Sequence, residues 1–150
     1  EAGAFADYWA ADWLRTRLEV RQGFGGHHGV VADLSADLVF PVTKQLTLSG
    51  GPRLTGGTAA SMSPYFSITP AQSALSGLPV YDARGGLRSY GLGTQATFTF
   101  NRNWATAIFF EYERLAGDAA NSPLVTLRGS RNQVQVGIDL TYSFNVPGLW

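Results

Sequence analysis

The stretch Asn132-Gln133-Val134-Gln135-Val136-Gly137-Ile138-Asp139-Leu140-Thr141-Tyr142-Ser143-Phe144 alternates with a period of two. Val134, Val136, Ile138, Leu140, Tyr142 and Phe144 fall on one side; Gln133, Gln135, Gly137, Asp139, Thr141 and Ser143 fall on the other. Successive side chains of an extended backbone point to opposite sides, so this period marks a strand with two unlike faces. Soluble strands usually run to about five or six residues. A tilted strand that crosses a bilayer needs about 9–11. An apolar face that ends in aromatics, backed by a small polar one, fits a wall with lipid outside and water inside.

The pattern recurs upstream. Residues 104–115 set Trp104, Thr106, Ile108, Phe110 and Tyr112 against Ala105, Ala107, Phe109, Glu111 and Glu113, with Phe109 as the exception. Residues 87–100 set Tyr90, Leu92, Thr94, Ala96, Phe98 and Phe100 against Ser89, Gly91, Gly93, Gln95, Thr97 and Thr99. Residues 30–40 set Ala32, Leu34, Ala36, Leu38 and Phe40 against Val31, Asp33, Ser35, Asp37 and Val39. A weaker, glycine-rich strand follows at 46–54. Residues 13–22 set Leu14, Thr16, Leu18 and Val20 against Arg15, Arg17, Glu19 and Arg21, and their partner is residues 1–8, ending at a turn over 9–12. Connections at 9–12, 41–45 and 101–103 are short, and those at 23–29, 55–86 and 116–130 are longer. Outer-membrane barrels pair short periplasmic turns with longer outward loops. Aromatics near the short turns (Tyr8, Trp9, Trp13, Phe40, Phe98, Phe100, Trp104, Tyr142, Phe144) then read as an interfacial girdle.

The expected fold is all-β: an antiparallel transmembrane β-barrel, or the C-terminal part of one, with about seven or eight strands in a single domain over 1–150. The count of about seven is odd, whereas single-chain bacterial barrels have even counts from about 8 upward. An N-terminally truncated barrel is the favoured expectation. A strand hidden around residues 62–68 is the alternative.

Composition narrows the function classes. Eleven basic and 11 acidic residues cancel, so no basic footprint for nucleic acid exists. With no cysteine there is neither a disulfide framework nor a thiolate metal site. Mean hydropathy is near zero, and no apolar run is long enough for a transmembrane helix. Alternating strands produce that average, because their two faces offset one another.

Several segments together resemble the MipA/OmpV family (MltA-interacting protein) of Gram-negative outer membranes. They are Gly23-Phe24-Gly25-Gly26-His27-His28-Gly29, Leu48-Ser49-Gly50-Gly51-Pro52-Arg53-Leu54, Tyr65-Phe66-Ser67-Ile68-Thr69-Pro70-Ala71-Gln72-Ser73-Ala74, Ser76-Gly77-Leu78-Pro79-Val80-Tyr81, Gly86-Leu87-Arg88-Ser89, Leu115-Ala116-Gly117-Asp118-Ala119-Ala120-Asn121-Ser122-Pro123 and Arg128-Gly129-Ser130-Arg131-Asn132-Gln133. The match spans nearly the whole chain in the family's order. It departs at the end: members stop at a position like Phe144, so Phe144 and Trp150 are both candidates for the terminal aromatic of the assembly signal. The resemblance implies an outer-membrane β-barrel in contact with outer-membrane lipid. It further implies a scaffold that joins a periplasmic murein hydrolase to a murein synthase, while other members resemble porins or adhesins. No cofactor and no enzymatic activity are expected.

The candidate site residues are the charges expected to face the lumen: Arg15, Arg17, Glu19, Arg21, Asp33, Asp37, Glu111, Glu113, Arg131 and Asp139. They read either as a polar plug of mutually satisfied ion pairs or as a selectivity lining. Glu111 and Glu113 share a face, but nothing in the sequence marks either as a catalytic acid. His27 and His28 are adjacent without a placed carboxylate, a weak metal signal that reads first as loop structure. The loop segment 65–81, with Pro70 and Pro79 and three aromatics, can constrict the lumen, face outward as an adhesive surface, or pack on itself. A lipid hydrolase is excluded for want of a Gly-x-Ser-x-Gly elbow and of Ser and His on a lipid-facing side.

Overall fold

A computed structural model gives the fold and describes residues 1–144. Alternation becomes seven strands: β1 (Ala2–Ala11), β2 (Leu14–Gln22), β3 (Val30–Pro41), β4 (Leu46–Gly57), β5 (Gly86–Thr99), β6 (Trp104–Leu115) and β7 (Asn132–Tyr142). They form one sheet in the order β1-β2-β3-β4-β5-β6-β7, each strand antiparallel to the next. The meander follows from short connections, because a tight turn can join only antiparallel neighbours.

Two of the short turns are held by side chains. Asn101 Oδ1 accepts from the backbone N–H of Asn103 (2.9 Å) and Trp104 (3.1 Å). Thr43 Oγ1 accepts from Gln45 N–H (3.1 Å) and Leu46 N–H (2.9 Å). Asn and Thr suit such turns because a short polar side chain can replace a backbone acceptor. The first turn is tighter than the 9–12 expected from sequence. β1 runs on to Ala11, which pairs with Leu14, so Asp12 and Trp13 alone turn the chain. Trp9 stands opposite Arg15, on the charged face and not with the outward aromatics.

The apolar face of β2 through β7 is exposed, and in β1 and β7 both faces are. Val136, Ile138 and Leu140 are 65%, 73% and 67% exposed, and Leu92 and Ile108 are 61% and 54% exposed. A soluble sheet buries this face against a second layer. In this fold the buried cluster lies elsewhere, in a cap built from the two longest connections. Residues 58–85 supply α1 (Ala59–Phe66) and α2 (Pro70–Ser76), and the β6–β7 connection supplies α3 (Gly117–Asn121) and α4 (Pro123–Arg128). Met62, Ala83, Leu115, Ala119, Ala120 and Val125 form its core, with Phe66 and Tyr81 against it. The strand expected as an alternative at 62–68 is therefore absent: α1 occupies that stretch, and extended pairing is confined to one bridge between Ile68 and Tyr81. β4 is longer than the weak strand expected at 46–54.

α2 has a strong local code. The Thr69 side chain accepts from Gln72 N–H (3.3 Å), and Gln72 Oε1 accepts from Thr69 N–H (2.9 Å), a reciprocal capping box. Pro70 sits at the first helical turn, and Gly77 ends the helix at φ 72°, a conformation glycine adopts without a Cβ penalty.

β1 and β7 each pair on one side only among the described residues. Trp150 lies outside the described residues.

Candidate functional site

The strands bring their polar positions onto one concave face. Arg15, Arg17, Glu19, Arg21, Asp33, Asp37, Glu111, Glu113 and Asp139 line a single cavity of about 610 Å³, together with Arg53, Arg88, Gln95 and Gln135. Residues from β2 through β7 can share a cavity only if the sheet curls around it. Arg131 does not join them. It precedes β7, and its guanidinium donates to Ala120 O (3.0 Å) and Asn121 Oδ1 (3.4 Å), tying the cap to the rim.

Asp37 is the centre of the network, with its side chain only 3% exposed. Arg15 reaches it from β2 at 2.9 Å and Arg53 from β4 at 2.7 Å. Arg53 continues to Glu111 on β6 at 3.3 Å, passing over β5. The crossing is possible because β5 carries Gly93 there: a Cβ at Gly93 would stand 2.7 Å from Arg53 Nε. Toward the cap, Arg21 pairs with Asp33 at 2.5 Å, and Thr55 Oγ1 donates to Asp33 at 2.6 Å. Arg17 pairs with Asp7 (3.2 Å) and Glu19 (3.3 Å) and stacks over the Phe5 ring at 3.8 Å. A guanidinium can serve several carboxylates and a ring face at once because its donors lie in a planar fork. Glu113 accepts from Ser89 Oγ at 3.2 Å. Asp139 lines the cavity without a hydrogen-bond partner for its carboxylate among the described residues.

Sequence alternation missed two arginines. Arg53 sits in a glycine-rich strand whose faces are hard to read, although its spacing from Thr55 and Ser49 places it on the polar side. Arg88 falls on the apolar side by parity. A register shift pairs Thr55 with Ser89 but Gly56 with Leu87, leaving Arg88 as an extra residue that turns into the cavity. Bulges re-aim side chains in this way, and periodicity alone does not reveal them.

His27 is buried and fixed as loop structure. Its Nε2 lies 2.7 Å from Glu1 Oε1, Gly29 N–H donates to its Nδ1 at 3.3 Å, and its ring meets Tyr65 edge-on at 6.1 Å. The His27 hydrogen bond holds the Glu1 carboxyl below its ordinary pKa. His28 contributes a backbone carbonyl to Gln22 (2.8 Å). No group of three or more His, Asp or Glu side chains with metal-binding geometry occurs among the described residues.

In the cap, Tyr81 OH donates to Asp118 O (2.9 Å), Arg84 N–H donates to Asp118 Oδ2 (2.8 Å), and Ser122 Oγ donates to Phe66 O (2.7 Å). Burial, and then the Asp118 charge, raise the Tyr81 pKa above its ordinary value. The loop 65–81 thus packs on itself and on the β6–β7 connection.

A curled antiparallel sheet with an exposed apolar outer face, a charged inner face and a helical cap over one end defines the wall of a β-barrel. The chain belongs to the MipA family, the MltA-interacting protein family, which matches residues 1–144. No curated protein and no solved structure matches it.

Proposed function

We propose that this chain is an outer-membrane barrel wall that serves as a scaffold for murein-remodelling enzymes, docking a periplasmic murein hydrolase and a synthase at its short-turn rim. The observation that carries this reading is the ion-pair network from Asp37 through Arg53 to Glu111, which ties β2, β3, β4 and β6 together across the concave face. Paired charges that satisfy one another make a rigid inner wall. The cap covers the opposite end, so the turns at Asp12-Trp13, 42–45 and 100–103 are the protein surface open to a periplasmic partner. The family description, MltA-interacting protein, supplies the kind of partner.

The test is capture of a purified membrane-bound lytic transglycosylase of the MltA type by the detergent-solubilised protein. Capture is expected to survive replacement of residues 59–85 by a glycine-serine linker and to fail when turns 42–45 and 100–103 are rewritten. Capture lost with the cap and insensitive to the turns would overturn the reading.

A second reading, a small pore, is favoured by the cavity of about 610 Å³ lined by both signs of charge. Planar-bilayer recording separates the two. Discrete conductance steps that change size in Asp37→Asn or Arg53→Gln favour the pore, and a silent bilayer leaves the scaffold.

A further inference from the structure

Under the cap lies a second cavity, of about 570 Å³, between α1, α4 and the upper ends of β5, β6 and β7, which shares Arg88, Glu111, Glu113 and Gln135 with the first. That size falls in the range of small-molecule sites, about 300–1,000 Å³. Its lining is divided by chemistry. Phe66, Leu115 and Val125 present an apolar side. Of its charged residues, Glu1 and Glu111 are already paired, with Arg21 and His27 and with Arg53 respectively, which leaves Arg88 and Glu113 as the charges without an ion pair.

These two charges, like Asp139 further down the face, lack an ion pair among the described residues. Each of Arg15, Arg17, Arg21 and Arg53 is within ion-pair distance of at least one carboxylate. The Arg88 guanidinium has no ion pair and no hydrogen bond among the described residues, and Glu113 has only the Ser89 hydroxyl. Both line the same cavity, yet they are not paired with each other, which places them more than 4.0 Å apart. Arg88 arrives there through the register shift between Thr55 and Gly56, a backbone irregularity that turns a cation away from the lipid side and into this space. An unpaired cation and an unpaired carboxylate, held apart beside an apolar wall, match a ligand with opposite charges at its two ends and a small apolar body.

We propose that this cavity binds a small zwitterion of the α-amino acid or dipeptide class. Arg88 takes the ligand carboxylate through its planar fork, Glu113 takes the ammonium, and Phe66, Leu115 and Val125 pack on the side chain. A polyanion is disfavoured because Glu1 and Glu111 also line the cavity. A simple cation would leave the Arg88 guanidinium without a partner. The site is independent of the scaffold reading, which concerns the opposite rim.

The probe is L-alanyl-L-alanine, titrated calorimetrically into the detergent-solubilised protein beside two blocked forms: the N-acetyl dipeptide, which keeps only the negative end, and the dipeptide amide, which keeps only the positive end. Saturable binding of the free dipeptide is expected, with both blocked forms at least tenfold weaker. Arg88→Gln should abolish discrimination against the amide, and Glu113→Gln discrimination against the N-acetyl form, each with an unchanged circular dichroism spectrum. Absence of saturable binding, equal affinity for the three ligands, or unchanged discrimination in both folded variants would overturn the proposal. The ligand comparison needs only the unaltered chain, so it decides the matter even where a variant fails to fold.

Discussion

Asp37 shows how much one buried carboxylate can govern. It holds two arginines that would otherwise repel each other, at 2.9 and 2.7 Å. Breaking a buried pair leaves an uncompensated charge and costs about 3–5 kcal/mol. Asp37→Asn should therefore lower unfolding stability by an amount of that order, measured by urea titration in detergent micelles. Gly93 is a subtler case. Gly93→Ala places a methyl group against the Arg53 guanidinium, which must leave Glu111. Because Glu111 is about one-third exposed, the loss should be about 1 kcal/mol, as for a partly solvated pair. In a Glu111→Gln background the same substitution should cost little, since contacting residues are not additive. Phe109, the exception to alternation in its strand, has a similar explanation. It stands opposite Gly137, and its ring lies over that Cα where no side chain fits. A large apolar side chain on a polar face is tolerated because it covers a bare backbone position, as aromatic neighbours of strand glycines do.

At the scale of elements, the outer face of β7 carries the clearest prediction. Ile138 is 73% exposed at mid-strand. If that face meets lipid, Ile138→Arg should cost roughly 2–4 kcal/mol, whereas a residue facing water would tolerate arginine almost freely. Refolding titrations in lipid vesicles distinguish the two. The cap offers a pH-dependent element. The folded-state pKa of Tyr81 is raised, so folding favours the protonated phenol. Its contribution is fully present below the unfolded value of about 10 and is lost as pH rises through the folded value above it. Limited proteolysis of residues 59–85 should accelerate in that alkaline window. In Tyr81→Phe the step should vanish, because the bond to Asp118 O is absent at every pH. Within the sheet, Pro52 marks where the β3–β4 ladder is interrupted: Ser35 pairs with Arg53 and Leu38 with Gly50, with no pairing between. Proline has no N–H to donate, which is why it is rare in central strands.

At the scale of the molecule, the distribution of polarity is inverted relative to a soluble domain, with charges gathered inside the curl and aliphatics outside. The small cap cluster around Met62 and Ala119 is less than the core a soluble 150-residue domain buries, and the proposed outer-membrane reading assigns the cover of the outer face to lipid. Trp13 lies in the first short turn and Trp104 beside the third, where it packs against Tyr142 at 4.7 Å. In single-tryptophan variants reconstituted into vesicles, both should be quenched more strongly by shallow than by deep brominated lipid, as interfacial aromatics are. Equal quenching at both depths would mean that this rim is not at the interface.

The wall of this protein was legible in the chain because strand period, strand length and turn length are local properties. Val134 to Tyr142, Ile108 to Tyr112 and Leu34 to Phe40 each declare their outward side without reference to any other strand, and the short turns declare antiparallel order. α2 is encoded locally in Thr69-Pro70-Ala71-Gln72 and Gly77, yet the reading of 65–81 as a loop passes over it, because strand periodicity does not register a helix cap. What only the tertiary structure decided depends on residues far apart in sequence. Arg53 meets Glu111 because Gly93 lies between them. Arg88 enters the cavity because of a one-residue register shift against β4. Arg131 leaves the charged face because α3 offers it carbonyl oxygens. The long connections become a cap because Ser122 reaches Phe66. Alternation specifies which side a residue faces, since that is a property of one strand's pleat. Partners follow from curvature, register and the space left by glycines, which exist only when the strands are assembled.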